Sequence, residues 1–257
     1  MKFKVKEVSF KDIESYLVLS LDQQRSLMDS FLESCILKSR FYKIEYQGEI
    51  AGTFAVKDSH LLSHFYVCDK FRRFGQDLFE IARRGEQVTH AYVCSSDEIF
   101  LSHALDRPKS VETQAYFFTL SDQTYSPDKV GDDFQLKLAT DKDKAMIKKD
   151  SGDFFDDVDK QIEDKELYIG YYKEEVVSFG IIEKSKLYKK VGSTGMFVLD
   201  AHREKGFGRS TIISLIEMLK SEQYTPIAGC WFYNHNSKKT LESAGYYTKT
   251  RLIKVNL

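Results

Sequence analysis

The sequence lacks the features that mark disulfide-bonded, zinc-binding and membrane-spanning proteins. Its 257 residues include four cysteines but no C-x-x-C pair, so buried free thiols are the simplest interpretation. The six histidines form no cluster at the spacing of zinc ligands, and no metal is expected. No apolar run approaches the ~20 residues that span a bilayer. The N-terminus also has no apolar signal-peptide centre, and we therefore expect a cytoplasmic protein without a membrane partner.

The chain also lacks an excess of charge of either sign. Its formal net charge is −1, and the two halves differ little, so nucleic acid is not expected as a partner. The chain is instead rich in apolar residues: 42% of its residues are hydrophobic and 14% are aromatic. At this length it can form one large domain or two small ones with a sizeable core.

An internal repeat favours two domains. Residues 46–56 align with residues 171–181 at an offset of 125 and keep Tyr, Glu and Phe. At an offset of 131, four residues fall on identical ones: Val67, Asp69, Arg72 and Gly75 on Val198, Asp200, Arg203 and Gly206. We therefore predict two copies of one α/β unit. A polar segment over 121–133 is the expected linker, with domains at 1–125 and 132–257.

The most informative stretch runs from residue 195 to residue 219. A short apolar strand over 195–199 is followed by a basic loop and then by a helix with apolar residues at helical spacing. Gly206 and Gly208 allow a tight turn in which backbone N–H groups point into one space, and the helix dipole adds positive potential there. This arrangement is suited to an anion such as phosphate, although glycines after a strand also occur in plain turns.

Two motifs in order make the pattern specific. Arg203-x-x-Gly206-x-Gly208 is similar to the coenzyme A pyrophosphate loop of the GCN5-related N-acetyltransferase (GNAT) superfamily. Asn234-x-x-Ser237 and then Gly245 followed by an aromatic residue come where that superfamily has them. The resemblance implies an α/β fold of two tandem GNAT-like units, each a mixed, mostly antiparallel sheet flanked by helices. It is strong over 134–257 and only architectural over 1–120.

The first unit departs from the cofactor motif. Asp77 stands where the second unit has Gly208, which places a carboxylate where a pyrophosphate would lie. Its helix also ends early, at Gly85, and the Asn and Gly-aromatic features are missing. We expect a degenerate first domain without a cofactor motif and an acetyl-CoA-binding second domain.

The resemblance implies acetyl-CoA as co-substrate and acetyl transfer to a primary amine by direct attack in a ternary complex. The N–H of Val198 would face the thioester oxygen. Ordinary core packing remains open for Phe197 and Val198, a surface charge for Arg209 and a simple helix cap for Asn234. The cofactor-binding positions carried over are Met196, Phe197, Val198, Arg203, Lys205, Gly206, Phe207, Gly208, Arg209, Ser210, Asn234 and Ser237.

Proton transfer is less well defined by the sequence. An aliphatic ammonium, with a pKa of ~10.4, must lose a proton to a base or a water chain. Glu183 is the candidate base, with a solvated strand-end carboxylate as its alternative. Leu241 occupies the position where the superfamily often has a tyrosine acid, so Tyr233 is the candidate acid. Aromatic packing of Tyr233, a role for Tyr246 or Tyr247, and unassisted departure of the thiolate remain open.

The acceptor is expected to be a small-molecule or peptide amine. Five aspartates lie within ten residues, at positions 150, 153, 156, 157 and 159, and they form either a solvated helix face or a surface that attracts a cationic amine. A non-catalytic acyl-CoA sensor or scaffold is the alternative function, and a protein that has lost the cofactor in both halves is a third. We expect a monomer or a homodimer.

Overall fold

The computed structural model describes residues 2–85, 87–121, 130–131 and 133–257. It contains two compact units. Unit 1 comprises residues 1–117, 231–233 and 249–257, and unit 2 comprises residues 118–230 and 234–248. The expected linker over 121–133 lies largely outside the described residues. Unit 1 therefore includes two segments, residues 231–233 and 249–257, that the boundaries expected from the sequence assign to the second domain.

The first ten helices and strands are β1 (Lys4–Val8), α1 (Phe10–Gln23), α2 (Ser30–Leu37), β2 (Arg40–Tyr46), β3 (Glu49–Lys57), β4 (Leu61–Val67), α3 (Gly75–Gly85), β5 (His90–Cys94), α4 (Glu98–Ala104) and β6 (Ser110–Leu120). The next ten are β7 (Phe134–Leu138), α5 (Lys144–Ser151), α6 (Val158–Glu163), β8 (Leu167–Tyr172), β9 (Glu175–Lys184), β10 (Val191–Val198), α7 (Phe207–Ser221), β11 (Thr225–Trp231), α8 (His235–Ser243) and β12 (Tyr246–Asn256).

The two sets follow the same order of strands and helices. Each begins with a strand, two helices and three antiparallel strands, and continues with helix, strand, helix and strand. This confirms the prediction of a repeated, mostly antiparallel α/β unit flanked by helices. Short 3₁₀ turns precede the long helices α3 and α7, at Asp69–Phe74 and Asp200–His202.

Unit 1 is built on β1 to β5. Neighbours from β1 to β4 pair antiparallel, and β5 joins β4 in parallel. The C-terminal strand β12 then pairs antiparallel with β5, from Leu252 opposite Cys94 to Asn256 opposite His90. The core lies between this sheet and helices α3 and α4, where Phe54, Phe65 and Leu78 are almost fully buried.

Unit 2 has helices on both faces of its sheet. Strands β7 to β10 are antiparallel, and β11 joins β10 in parallel. On one face, Ile147 of α5 and Ile162 of α6 pack with Phe179 of β9. On the other face α7 lies so close that a Cβ on Gly180 or Gly192 would press on its leucines. Because odd- and even-numbered residues of a strand point to opposite faces, one face of β9 and β10 packs against α5 and α6 and the other against α7.

The five aspartates between residues 150 and 159 were candidates for one helix face, and the structure divides this region between two helices. Helix α5 ends at Ser151 and is capped by Gly152, whose φ of 56° lies in the left-handed region that favours glycine. A 3₁₀ turn follows over Gly152–Phe154, and α6 starts after Asp157, whose side chain accepts the N–H of Lys160. The break turns the aspartates away from one common helix face.

The described part of the chain has neither a membrane-spanning helix nor a metal-binding cluster. None of its helices has the length and apolar character needed to cross a membrane. The same residues include no group of three or more His, Cys, Asp and Glu side chains arranged to hold a metal ion.

Candidate active site

Strands β10 and β11 part in the middle of the unit 2 sheet. They pair only from Val191 opposite Thr225 to Ser193 opposite Ile227, and beyond that level no pairing joins them. The Ile227 carbonyl accepts the hydroxyls of Thr194 and Tyr246 at 3.3 Å each, and those hydroxyls lie 2.9 Å apart. These three residues close the narrow end of a fork that opens toward the basic loop.

Backbone groups of β10 face the open fork. Leu199 donates its N–H to Val177 of β9, which sets the odd-numbered residues of β10 toward β9. The N–H groups of Met196 and Val198 therefore point to the β11 side, where the strands no longer pair. Val198 also presents its carbonyl there, and it accepts the Arg203 Nε at 3.3 Å. The fork thus offers a row of unpaired backbone donors to a ligand.

The loop at the open end forms an anion-binding turn. Gly206 has a φ of 85° and is the N-cap of α7 without any side-chain cap. The first backbone bond of the helix runs from the Ser210 N–H to the Gly206 carbonyl at 3.0 Å, so the preceding N–H groups have no intrahelical acceptor. The Arg209 Nε is buried without a hydrogen-bond partner. Unpaired N–H groups, the helix dipole and the partnerless Nε of Arg209 together suit an anion.

Gly208 serves close packing. A Cβ there would come within 3.2 Å of both Thr240 on α8 and Val198 on β10. Its first-unit counterpart, Asp77, would not fit this space without displacing these neighbours. The sequence linked Gly208 to a free backbone around phosphate, and the structure adds the contact between α7, α8 and the strand as a second reason for glycine.

The basic residues of the loop lie at the surface. Arg203 pairs with Asp200 at 2.7 Å, and its guanidinium lies 6.0 Å from the centre of the Phe197 ring. Lys205 donates to the Ala201 carbonyl at 2.8 Å. Both side chains are exposed, so they can reorient toward an anion at α7.

Two positions expected to contact the cofactor lie in the interior. Phe207 is 4% exposed and packs against Phe134 and Tyr172, so its side chain anchors the start of α7 in the core. Ser210 is fully buried, and its hydroxyl accepts the N–H of Val130 at 2.9 Å. Nothing in the local sequence indicates this partner, because Val130 lies 80 residues from Ser210, in a polar segment.

Asn234 caps helix α8. Its Oδ1 accepts the Ser237 N–H at 3.0 Å, which leaves the amide NH₂ to act as a donor. Leu241 is 3% exposed and belongs to the packed interior. The position at which the GNAT resemblance implies a tyrosine acid is therefore filled by a buried apolar side chain.

Phe197 lies on the opposite face of the sheet from α7. Its ring contacts Phe154 at 5.2 Å and Phe179 at 6.3 Å between centroids, next to α5 and α6. Phe154 is 48% exposed, so this aromatic group borders solvent. Asp153 is exposed beside Phe154. Among the other aspartates of this region, Asp159 pairs with Lys148.

Two carboxylates of unit 2, Glu166 and Glu183, interact electrostatically. Glu183 lies opposite Ser193, the last paired residue of the fork. The Glu166 carbonyl accepts the Ile182 N–H at 2.9 Å, which brings the two glutamates to the same level of the sheet. Burial, and next the charge of Glu183, raise the pKa of Glu166 to about 7. Sequence reasoning missed Glu166, since nothing in its local pattern shows which strand lies beside it.

The tyrosines have different surroundings. Tyr233 belongs to unit 1, is 61% exposed and packs its ring against Trp231 and Phe232. Tyr246 is 3% exposed, and burial raises the pKa of its hydroxyl, which is bonded at the closed end of the fork. Tyr247 is 45% exposed.

Comparisons with known proteins support one family. Residues 9–121 match the family model described as an acetyltransferase (GNAT) domain. This range lies almost wholly in unit 1, the half with Asp77 in α3, so the expectation of a merely architectural resemblance over 1–120 is wrong. No curated protein sequence matches the chain.

Several solved structures share the fold along the whole chain. A GNAT-family acetyltransferase from Colwellia psychrerythraea has a TM-score of 0.88 at 15% identity, with 99% of both chains covered. A GCN5-related N-acetyltransferase from Sphaerobacter thermophilus has a TM-score of 0.70 at 13% identity, with 99% of this chain and 95% of that one covered. A tandem GNAT protein from the clavulanic acid biosynthesis pathway has a TM-score of 0.70 at 11% identity, with coverage of 100% and 98%. Residues 9–121 therefore resemble a GNAT acetyltransferase domain in sequence, and the chain as a whole shares the fold of these GNAT structures, one of them a tandem GNAT protein.

Proposed function

We propose that unit 2 binds acetyl-CoA and that the protein transfers its acetyl group to a primary amine. The observation that carries this proposal is the fork between β10 and β11, which opens onto the Gly206 turn at the start of α7. A long ligand with an anionic middle and a thin arm matches this combination. The anion fits the helix terminus, and the arm fits between the strands.

The residues around the turn fit a pyrophosphate. The first N–H groups of α7 have no intrahelical acceptor, and the buried Nε of Arg209 has no partner. Charged hydrogen bonds from Arg203 and Lys205 would add to these backbone donors. Asn234 has a free amide NH₂ that can donate to the arm.

The arm would lie along β10. The N–H groups of Met196 and Val198 face the fork and can bind its amides and the thioester oxygen. Acetyl-CoA supplies an activated acetyl group. The Val198 N–H is the proposed donor that stabilises negative charge as it develops on the thioester oxygen, because a preorganised backbone donor is most effective in a site without water.

The proposed base comes from the carboxylate pair. Glu183 and Glu166 lie at the level where the fork closes, one and two strands from β10. A base is most efficient when its pKa is near the working pH, and the pKa of Glu166 is raised to about 7. We assign the removal of the ammonium proton to this pair through a chain of water molecules, because Ser193, opposite Glu183, lies ~16 Å along β10 from Val198. The neutral amine then attacks the thioester carbon, and the sulfur leaves as a thiolate.

Tyr233 remains the proposed proton donor to the leaving thiolate, with unassisted departure as the alternative. Its hydroxyl belongs to an exposed side chain, so phenylalanine in its place leaves packing intact. If Tyr233 donates the proton, Tyr233→Phe lowers kcat without altering acetyl-CoA binding. An unchanged kcat would favour unassisted departure.

The acceptor side is proposed at the 3₁₀ turn. Asp153 and Asp156 are exposed near Phe154, whose ring reaches Phe197 on β10. Carboxylates there would attract a cationic amine. Replacing both with Asn should raise the KM for the amine and leave acetyl-CoA binding unchanged, and unchanged acceptor kinetics would refute this assignment.

Thiol release tests the activity. Purified protein with acetyl-CoA and a panel of primary amines should release free coenzyme A in proportion to acetylated amine. Glu166→Gln and Glu183→Gln should each lower kcat while acetyl-CoA binding, measured by calorimetry, stays within about twofold. Binding of acetyl-CoA without thiol release from any amine would contradict the enzyme assignment.

That last outcome defines the second candidate function, a non-catalytic acyl-CoA sensor. The observation in its favour is the buried Leu241, which stands where the GNAT resemblance implies a tyrosine that acts as general acid. A sensor would keep the fork and the turn but would need neither glutamate. Binding that is indifferent to both Gln variants, with no turnover, is the result this alternative predicts.

A further inference from the structure

Unit 1 has a cleft at the position that corresponds to the cofactor fork of unit 2. Strands β4 and β5 pair in parallel only at Leu61 opposite His90 and Leu62 opposite Ala91, and then part. A cleft of about 480 Å³ lies at the open end, between the end of α1, the end of β4 and the start of α4. Its lining includes Gln24, Phe65, Val67, Arg72, Asp97 and His103.

The anion-binding features of unit 2 are absent from this cleft. Gly75, the counterpart of Gly206, has ordinary right-handed helical angles, so the left-handed turn is not formed. A Cβ on Gly75 would overlap the imidazole of His103, which packs edge-on against Phe65. Asp77 adds negative charge in the first turn of α3. These differences disfavour a pyrophosphate at this helix.

A mostly buried carboxylate replaces the amide found in unit 2. Asp97 caps α4 through Oδ1, which accepts the Phe100 N–H at 3.0 Å, and its Oδ2 accepts the Gln24 Nε2 at 3.0 Å. Burial raises the pKa of Asp97 to about 6, so most of the molecules carry the charge at pH 7. No Lys, Arg or His among the described residues forms an ion pair with it.

The side chain of Gln24, which bonds to Asp97, has one atom without a partner. The Gln24 Oε1 is buried without a hydrogen-bond donor, while its amide NH₂ is held by Asp97. A carboxylate oxygen can accept more than one hydrogen bond. Asp97 and Gln24 both line the cleft. The Gln24 Oε1 has no donor there, and the Asp97 carboxylate accepts two neutral N–H groups but has no cationic partner among the described residues.

We propose that this cleft binds a small primary amine, whose ammonium group donates hydrogen bonds to Asp97 and to the Oε1 of Gln24. The charge of the ammonium neutralises a buried carboxylate that has no counter-charge, and buried charges are normally paired. The body of the amine lies against Phe65 and Ile99. The site is independent of the acetyl-CoA site in unit 2.

The basic side chains that line the cleft face carboxylates of their own, so they do not neutralise Asp97. Arg72 is paired with Asp69 at 2.8 Å, and His103 faces Asp106 at 3.8 Å. Glu98 is exposed and adds a second negative charge at the rim, and Tyr66 contributes its ring and hydroxyl. The balance of charge around the cleft favours a cation.

The test uses phenethylamine and its neutral analogue 2-phenylethanol as probes for calorimetry on the full chain at pH 8. The amine is expected to bind the wild type, and the alcohol at least tenfold more weakly. Asp97→Asn keeps the helix cap, since Asn234 fills the same role in unit 2, and should weaken amine binding at least tenfold. Asp22→Asn, an exposed carboxylate on α1 outside the cleft, is the matched control and should bind as the wild type does.

Three results would overturn the proposal: no binding of the amine, equal binding of amine and alcohol, or unchanged amine binding in Asp97→Asn. Acetyl-CoA binding to Asp97→Asn is measured in parallel and should equal that of the wild type. Failure of the amine site is then distinguishable from failure of the cofactor site, because each has its own ligand and its own variant.

Discussion

Asp97 and Asn234 hold equivalent positions in the two units. Each is the N-cap of the helix that follows the parallel strand, and each accepts the backbone N–H three residues later at 3.0 Å. The cap geometry is therefore shared, and only the charge differs. One repeated structural role is compatible with two kinds of ligand, an anionic cofactor beside the amide and a cation beside the carboxylate.

The burial of Asp97 predicts a pH-dependent stability. Its pKa is raised from 3.8 to about 6 in the folded chain, so ionisation is easier in the unfolded state and stability falls as the pH rises through this interval. Asp97→Asn removes this effect. The variant should gain stability relative to the wild type between pH 4 and pH 7, by roughly 3 kcal/mol at most, given 1.36 kcal/mol per pKa unit. Urea unfolding across this pH range measures the gain, and a pH-independent difference would contradict the burial of an uncompensated charge.

Glu166 should control the acidic side of the activity profile. Burial and the charge of Glu183 raise its pKa from 4.5 to about 7, so the basic form appears as the pH rises through 7. We expect kcat to increase over this range in the wild type. Glu166→Gln should lose this limb of the profile along with most of the rate, about a hundredfold. A variant that keeps the same limb would exclude Glu166 as the group that titrates.

Tyr246 should stabilise the closed end of the fork. Its hydroxyl interacts with Thr194 and donates to the Ile227 carbonyl inside the core. Tyr246→Phe removes this bond and should lower the free energy of unfolding by about 1–2 kcal/mol. Tyr247→Phe, at an exposed neighbouring position, should change it by less than about 0.5 kcal/mol. Equal effects of the two variants in urea unfolding would show that the buried network contributes nothing specific.

Restoring the tyrosine of related proteins should not improve this protein. Leu241 is 3% exposed, and a larger polar side chain would overpack the interior. Leu241→Tyr is expected to lower the midpoint of thermal unfolding, at a cost of about 1–3 kcal/mol, without raising kcat. Leu241→Met, which nearly conserves volume, is the control and should cost less. A rise in kcat in Leu241→Tyr would show that the side chain reaches the fork.

The sequence predicts most of the elements because their patterns are strong. The helix at 207–221 has apolar residues at helical spacing behind a glycine turn, and the strand pairs around Gly48 and around residues 173–174 follow from alternating apolar residues and turn geometry. The repeat also emerges, since identical residues recur at a fixed offset. These signals are local, and they survive in a single sequence.

What escaped prediction depends on contacts between distant residues. The neighbour of Glu166 is set by strand register, the partner of Ser210 lies 80 residues away, and the C-terminal strand pairs with β5 of the first unit. Asp97 looked like one acidic residue among several, and only burial and the contact with Gln24 distinguish it. The burial of Asp97 and the charges around it depend on the folded structure, so the spacing of residues in the sequence does not reveal them.

Calorimetric binding of acetyl-CoA to the wild type, Gly208→Ala and Gly208→Asp tests directly whether the cofactor binds in the fork of unit 2. The Ala variant carries only the Cβ, which would meet Thr240 and Val198 at 3.2 Å, and the Asp variant adds the charge that unit 1 has at Asp77. We predict one site per chain in the wild type, weaker binding in Gly208→Ala, and no detectable binding in a folded Gly208→Asp. No binding to the wild type, or undiminished binding in Gly208→Asp, would contradict the assignment of the cofactor to the fork of unit 2.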